Sequence, residues 1–289
     1  MSSKYGITLG YTTDNEGTLG ETVGWGDVPL MSEYIYGYLV DIAGVLDYRV
    51  SYQLGQSRLA TASASSDTFT FTVQYIDGLA ALGGLVADAV VSNIAASRIT
   101  ANKPFTLTLY ADGVRDTRID GYLVGRSVDA YQGKQGSARI EYTFQPLPRP
   151  WYREKTLAEA GTRIDCYLPA DLRIAITASG GAVTDPYVTV RGPDGFANTY
   201  AFSGLTVDAN TTAVINTRSH AAEINPFGDF YENVYQYRDS GARGSGRYIF
   251  EQLPTSGTYT YSVGAASGSP TVRVTAYENS LGTKWGSGQ

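Results

Sequence analysis

One histidine and one cysteine are the only side chains of their kinds that could carry nucleophilic chemistry in this 289-residue sequence. His220 follows a predicted strand without a Gly-x-Ser-x-Gly turn, so a Ser–His–Asp triad is not favoured. Cys166 alternates with Ile164 and Leu168 on a predicted strand and is interpreted as a small core residue. One residue of each kind also excludes a disulfide framework and a multi-histidine or cysteine-based metal cluster. We therefore assign no catalytic, cofactor-binding or metal-binding residue.

The acidic side chains could form two further kinds of site, a Ca²⁺ site or a carboxylate pair for glycosidic hydrolysis. Asp229, Glu232 and Asp239 lie in the long irregular segment 217–246. Their oxygens are of the kind that binds Ca²⁺, although the EF-hand spacing is absent. The sequence also leaves open a carboxylate pair for glycosidic hydrolysis, because two strands can bring any two acids together. Solvation is the simpler interpretation of these acids.

Tyrosine supplies 23 of the aromatic residues, and two groups of tyrosines are candidate binding surfaces. Tyr34, Tyr36 and Tyr38 alternate within the segment 34–40, which is apolar on both faces. That pattern predicts either a buried strand or one covered by a neighbouring subunit, and these three residues are the candidate oligomer interface. Tyr231, Tyr235 and Tyr237 lie in the long irregular segment and are candidates for contact with a glycan or a partner, because tyrosine rings stack on sugars and anchor interfaces.

Charge and hydropathy exclude several classes of function. The net charge is −6; residues 1–150 hold 11 basic and 15 acidic side chains, and residues 151–289 hold 11 and 13. Neither half has the basic surplus of a duplex-binding domain. No apolar run approaches the roughly 20 residues of a membrane span, so no membrane insertion is expected. No secretory signal is visible, and we expect a soluble protein made in a cytosol.

Alternation of apolar and polar residues dominates the chain and predicts an all-β protein with one helix. Inward-facing positions recur in the segments 46–54, 69–75, 105–109 and 138–144. The exception is a helix near 78–97, with Asp77 as its N-cap and an apolar stripe at Leu79, Leu82, Val86, Val90 and Ile94. Three prolines between residues 146 and 150 mark a boundary. We predict a β domain at 1–150, a linker at 151–160 containing one or two helical turns, and a β-sandwich at 161–289.

Eight short strands are predicted in the second domain, with turn signals between them. They lie at 163–168, 172–178, 187–191, 198–203, 211–216, 247–252, 258–263 and 271–277.

The order of these elements resembles the distal tail protein family, or minor tail proteins, of long non-contractile-tailed bacteriophages. The resemblance rests on the strand–helix–strand order of the first half, followed by the motif Pro146-Leu-Pro-Arg-Pro-Trp-Tyr152. In the second half it rests on Thr184-Asp-Pro-Tyr-Val-Thr-Val-Arg-Gly-Pro193, the Leu205–Asn210 turn and Gly257-Thr-Tyr-Thr-Tyr-Ser-Val263. It covers most of the chain.

The resemblance implies a tail-tube-like N-terminal β-sandwich or barrel that forms a hexameric ring, and a galectin-like C-terminal sandwich. Such a ring connects the tail tube to the baseplate hub at the distal end of the virion's tail, after assembly in the host cytoplasm. The implied partners are the major tail tube protein, a hub or tail-associated protein, the tape measure protein, and DNA that passes without specific binding. No cofactor or catalytic residue belongs to this plan.

An alternative is a carbohydrate-binding module for host attachment. However, galectins use His-x-Asn-x-Arg, and this chain reads Asn216-Thr-Arg-Ser-His220 instead. A third option, an enzyme that cleaves glycans or peptides, has little support in the residues.

Overall fold

The computed structural model describes residues 5–12, 19–26, 37–44, 48–54, 59–76, 83–111, 114–132, 137–225, 232–239, 241 and 249–281. These residues fold almost entirely as β-strands, with one α-helix. The prediction of an all-β chain with one helix is therefore confirmed. The chain separates into two compact units, which centre on residues 17–152 and 153–279.

The first unit is built on one antiparallel sheet, and a separate hairpin accompanies it. Its strands are β1 (Tyr5–Thr12), β2 (Leu19–Gly26), β3 (Gly37–Ala43), β4 (Tyr48–Leu54), β5 (Leu59–Ser66), β6 (Phe69–Ile76), β7 (Phe105–Ala111), β8 (Val114–Gln132) and β9 (Ser137–Pro146), with the helix α1 (Gly83–Thr100) between β6 and β7. The sheet order is β2-β1-β7-β8-β9-β6-β3, whereas β4 and β5 pair only with each other.

The long strand β8 joins the two halves of this sheet. Its first part pairs with β7 as far as Gly121, and the rest of the strand pairs with β9. Gly121 is the residue at which the partner changes. A Cβ atom there would overlap the carbonyl oxygen of Gln145 and lie 2.6 Å from the ring of Phe144, so no side chain fits at this bend.

The core of the first unit follows the predicted alternation. Every second residue of β6, β7 and β9 is buried, and these residues are Phe69, Phe71, Val73, Tyr75, Phe105, Leu107, Leu109, Ala138, Ile140, Tyr142 and Phe144. The side chains of Tyr75 and Tyr142 are fully buried, and their hydroxyl oxygens lie 2.7 Å apart in a hydrogen bond. An unpaired hydroxyl in a core is costly in free energy, and this hydrogen bond offsets the cost of burying both hydroxyls.

Helix α1 packs on the face of the sheet that carries this core. Val91 and Ala95 are buried and Ile94 is half-buried, so the buried stripe lies beside the predicted one. The described helix runs from Gly83 to Thr100, so it ends beyond the predicted residue 97, whereas the predicted start near residue 78 and the N-cap Asp77 lie outside the described residues. It ends where Asn102 adopts a left-handed conformation, with φ of 53°, as asparagine commonly does after a helix.

The second unit is a β-sandwich with one apolar core. Its strands are β10 (Trp151–Thr156, which begins in the first unit), β11 (Thr162–Ile164), β12 (Asp171–Thr177), β13 (Val183–Thr184), β14 (Tyr187–Arg191), β15 (Ala197–Ala201), β16 (Thr206–Val207), β17 (Thr212–Asn216), β18 (Ala221–Asn225), β19 (Glu232–Asn233), β20 (Gly257–Gly264) and β21 (Thr271–Ser280). One sheet has the order β19-β18-β17-β12-β21, and the other β11-β20-β14-β15. Side chains from both sheets, such as Ile174 and Val190, share the core.

Two predictions about this half were wrong. The segment 154–160 has no helical turn: residues 154–156 belong to β10, and the Leu157 N–H continues the pairing by donating to the Val274 oxygen at 2.8 Å. Burial of Trp151 and Leu157 at either end of β10 explains why the chain stays extended. No strand forms at 249–252, the described part of the predicted strand 247–252, because Ile249 and Phe250 enter the core from a turn.

Candidate functional site

Besides β2 and the β4–β5 hairpin, two strands of the first unit have a free edge among the described residues. Residues 122–132 of β8 pair only with β9, and β3 pairs only with β6. β2 comes near β3 without forming a ladder with it. β3, β6, β9 and this part of β8 thus form a four-stranded sheet with a free edge at each end. Such edges present unpaired N–H and C=O groups to which another strand can add.

Valines are exposed at both free edges. Val40 interrupts the register of β3 and Val124 that of β8, and their exposed fractions are 44% and 52%. Val128 lies opposite Ile140, whose side chain is in the core, yet Val128 is 50% exposed. The core face of the sheet therefore continues to the β8 edge without cover. An apolar core face that ends uncovered at a strand edge is suited to a neighbouring molecule.

The opposite face of the four-stranded sheet, which we call the bare face, has polar residues. They alternate with the core residues and are Asp41, Thr70, Thr72, Gln74, Ser127, Arg139, Glu141 and Thr143. Asp41 of β3 lies opposite Thr72 of β6. Glu141 of β9 lies opposite both Thr72 and Ser127 of β8, so a single row crosses all four strands. Arg139 and Gln74 occupy the row on one side of it, and Thr70 and Thr143 the row on the other side.

Of the three tyrosines predicted at the oligomer interface, one lies among the described residues. Tyr34 and Tyr36 lie outside the described residues. Tyr38 lies in β3, opposite Gln74, and therefore on one of the two free-edge strands. The involvement of these tyrosines in an interface stays a prediction.

A buried ionic network in the second unit was not predicted from the sequence. The carboxylate of Asp171, at the start of β12, accepts hydrogen bonds from Gln252 Nε2 at 2.6 Å and Asn279 Nδ2 at 2.8 Å. It also accepts one from the Thr217 hydroxyl at 3.2 Å, and Arg218 Nη1 lies 3.8 Å from it. Both charged side chains are about 95% buried. Four donors around one carboxylate compensate for its desolvation, so the network fastens the ends of β12, β17 and β21 together.

The tyrosines predicted to contact a glycan have neighbours in the second unit. Tyr235 and Tyr237 form a short 3₁₀ turn, and Tyr231 lies outside the described residues. The Tyr235 ring stacks on Phe250, with centroids 5.4 Å apart, and the Arg238 guanidinium lies 4.3 Å from its centroid. His220 stacks on Phe250 as well, at 5.6 Å. The Tyr235 ring is therefore engaged within the unit, which leaves it less able to stack on a sugar.

The remaining candidate residues have the following positions. Cys166 is partly buried against the core of the second unit, whereas His220 is exposed at a positive φ of 53°. Asp229 lies outside the described residues. Within the described ranges, no group of three acidic, histidine or cysteine side chains is placed to hold a metal ion. Nor does any described helix have the length and apolar character needed to cross a bilayer.

Two tyrosine hydroxyls of the second unit have displaced pKa values. Burial raises the pKa of Tyr259 above its ordinary value of 10.0, although the hydrogen bond from its hydroxyl to the Thr255 oxygen, 2.6 Å long, opposes that rise. Burial also raises the pKa of Tyr261, and the nearby carboxylate of Glu159 adds to the rise. Both groups are neutral near pH 7, and neither has the lowered pKa of an activated nucleophile.

Comparison with solved structures identifies the architecture. A chain of the phage p2 baseplate in its activated conformation with calcium matches at a TM-score of 0.62 with 12% identity, over 98% of this chain and 100% of that one. This chain has the fold of a phage p2 baseplate protein. The p2 baseplate with strontium matches at 0.61 with 13% identity, over the same shares of both chains. The Dit protein of phage SPP1 has a TM-score of 0.46 at 7% identity, over 95% and 99%. No protein-family model and no curated protein matches the sequence.

Proposed function

We propose that this protein is a structural component of a phage tail tip, where its copies form a hexameric ring that connects the tail tube to the baseplate hub. The observation that carries the proposal is the likeness to a p2 baseplate chain along nearly the whole of both chains, through both units and not one alone. The proposed role is mechanical, and the protein has no enzymatic activity. The second unit serves as a galectin-like sandwich.

The free edges of the first unit support ring formation. The β8 edge of one copy would pair with the β3 edge of the next, and the exposed Val128 would be covered by that neighbour. The two edges are different surfaces, so the contact is heterologous and repeats until the ring closes. Closure satisfies the backbone groups of the β3 and β8 edges in every copy, which removes the aggregation hazard of those open edges.

The proposed partners are the major tail tube protein, a baseplate hub or tail-associated protein, and the tape measure protein, with DNA passing through the ring. The protein acts at the distal end of the virion's tail, after assembly in the host cytoplasm. The carbohydrate-binding alternative has less support, because the Tyr235 ring already contacts Phe250 and Arg238.

Light scattering after size exclusion and electron microscopy of the purified full-length chain test this proposal together. We expect particles with six times the 31.0 kDa mass of one chain and a hollow centre. A chain that stays monomeric at every concentration, and appears as a solid particle, would refute it.

A further inference from the structure

We infer that the outer face of β14, β15 and β20 in the second unit is a binding site for a saccharide that carries an acidic group. The site consists of a tyrosine ring, a row of three hydroxyl groups and an exposed guanidinium group. It is separate from the turn that holds Tyr235, and it adds ligand binding to the structural role proposed above. All of its residues belong to one copy, so the site does not require the ring.

Alternation along β14 decides which side chains reach this face. Val188 and Val190 are fully buried in the core of the sandwich. Tyr187, Thr189 and Arg191 therefore point to the opposite side, at intervals of about 7 Å along the strand. A ring, a hydroxyl group and a guanidinium group thus follow one another over about 14 Å, a length suited to a short oligosaccharide.

The ring of Tyr187 lies against the sheet. Tyr187 is opposite Gly264 of β20, and a Cβ atom at Gly264 would overlap the Cζ atom and the hydroxyl oxygen of Tyr187. The ring therefore occupies the space that a side chain at residue 264 would fill, as aromatic rings do beside glycines in other sheets. Tyr187 is only half-buried, so part of its ring stays exposed and can stack on a sugar.

A row of hydroxyl groups crosses the sheet next to this ring. Thr189 lies opposite Thr199 of β15 on one side and opposite Ser262 of β20 on the other. Neighbouring strands are about 4.8 Å apart, so the row spans about 10 Å. The hydroxyl oxygens of Thr189 and Thr199 lie 3.0 Å apart in a hydrogen bond. A hydroxyl group both donates and accepts hydrogen bonds, so this row is complementary to the hydroxyl groups of a sugar.

The Arg191 guanidinium gives the site its preference for a negative charge. Arg191 is exposed, and its Nη1 donates a hydrogen bond to the Ser262 hydroxyl at 3.3 Å. Among the described residues it has no carboxylate partner, and Asp194 in the following turn forms no ion pair with it. A guanidinium group has five N–H donors in a planar fork, so donors remain for a carboxylate or a phosphate on the sugar.

The composition of the face favours a saccharide over other ligands. The core of a protein interface is apolar, whereas Tyr187 is the one aromatic side chain that β14, β15 and β20, all described throughout, place on this face. A nucleic acid requires several basic side chains, and Arg191 is the one that these three strands provide. One ring, three hydroxyl groups and one cation instead match a sugar with a single acidic group per unit.

Saturation-transfer NMR, which detects the ligand, tests the site with the full-length chain. The acidic probe is trigalacturonate and the neutral probe is maltotriose. We expect trigalacturonate to bind about tenfold more tightly than maltotriose, because its carboxylates form charge-assisted hydrogen bonds. Galacturonate and glucose 1-phosphate, added as competitors, distinguish a carboxylate-bearing ligand from a phosphate-bearing one. Equal displacement of the probe by inorganic phosphate alone would overturn the assignment to a saccharide.

Two variants separate the charge from the ring. Arg191→Gln should lower the affinity for trigalacturonate about tenfold, to that for maltotriose. Tyr187→Leu retains an apolar cover over Gly264 and should weaken the binding of both probes. The matched control is Arg273→Gln, because Arg273 is an exposed arginine of β21 in the other sheet, and it should leave both affinities unchanged.

The outcomes separate this site from the proposed ring. Absence of saturation transfer to trigalacturonate overturns the site, as does an equal effect of Arg191→Gln and Arg273→Gln. The particle mass is measured on the same samples by light scattering. A ring that binds no probe overturns the site alone, and a monomer that binds trigalacturonate through Arg191 overturns the proposed ring alone.

Discussion

A lysine at Val128 should prevent ring formation without unfolding the protein. Val128 is 50% exposed on the core face at the free β8 edge. Full burial of a valine stabilises by about 2 kcal/mol, so a neighbouring copy that covers its exposed half contributes about 1 kcal/mol. A lysine loses this contribution and brings a charge that is costly to desolvate. We therefore expect the free energy of each contact between neighbouring copies to become less favourable by roughly 3 kcal/mol. That change weakens each contact about a hundredfold.

The assay is the mass of the particles by light scattering over a range of protein concentrations. The matched control is Ile99→Lys, because Ile99 is 49% exposed but lies on α1 and not on either of these strands. A lysine there is also favourable to the C-terminal end of the helix. We expect Val128→Lys to be monomeric with an unchanged melting temperature, and Ile99→Lys to assemble normally.

Two results would refute this reasoning. One is a folded Val128→Lys protein that assembles as well as the unmodified chain, since the β8 edge would then lie outside any joint. The other is equal loss of assembly in both variants, which would trace the effect to surface charge in general.

Three further substitutions test the interior and the glycan alternative, and a fourth tests pH dependence. Tyr142→Phe removes the hydroxyl that bonds to Tyr75 and should lower the free energy of unfolding by about 1–2 kcal/mol; the double variant with Tyr75→Phe should cost less than the sum of the single changes, measured by denaturant unfolding. Asp171→Asn removes the buried charge that compensates a guanidinium and should cost about 3 kcal/mol, measured by the same unfolding curves. Tyr235→Ala should destabilise by about 1–2 kcal/mol through its lost ring contacts, and a glycan array should show no sugar whose binding depends on this residue. The stability linked to Tyr259 is fully present below pH 10.0 and is lost as pH rises through its raised pKa, so Tyr259→Phe should flatten the alkaline decline of the melting temperature.

Local periodicity was enough to predict the strands that face a core on one side. β6, β7 and β9 alternate strictly, and the residues named from the sequence, such as Phe71 and Tyr142, are fully buried. Successive side chains of a strand point to opposite faces of the sheet. The face of each residue can therefore be predicted from whether its position along the strand is odd or even. The helix was predicted for a similar reason, although it ends at Thr100 and not at residue 97, because the sequence indicates the end of a helix less clearly than its periodicity.

The free edges and the Asp171 network could not be predicted in the same way. An edge is defined by which strands fail to pair, and β3 and β8 are far apart in the sequence. Val124 and Val128 look like ordinary inward positions in the sequence, yet about half of each side chain is exposed at the strand edge. From the local sequence, Asp171 would be interpreted as a solvated acid before a strand. Its partners Gln252 and Asn279 come from distant segments, so the local sequence does not reveal them. Each feature is a long-range relation, and periodicity contains no signal for it.

The second unit shows, by contrast, how a sheet edge is closed within one chain. β15 pairs with β14 on one side, and the segment 237–239 covers the end of its other side. The Asp239 N–H donates to the Ala201 oxygen at 2.8 Å, and the Ser203 N–H donates to the Tyr237 oxygen at 2.6 Å. The segment that holds Tyr235 and Tyr237 thus has a structural task, which explains their packing without a sugar. Because the second unit covers this edge from its own chain and the first leaves β3 and β8 open among the described residues, assembly is expected to depend on the first unit.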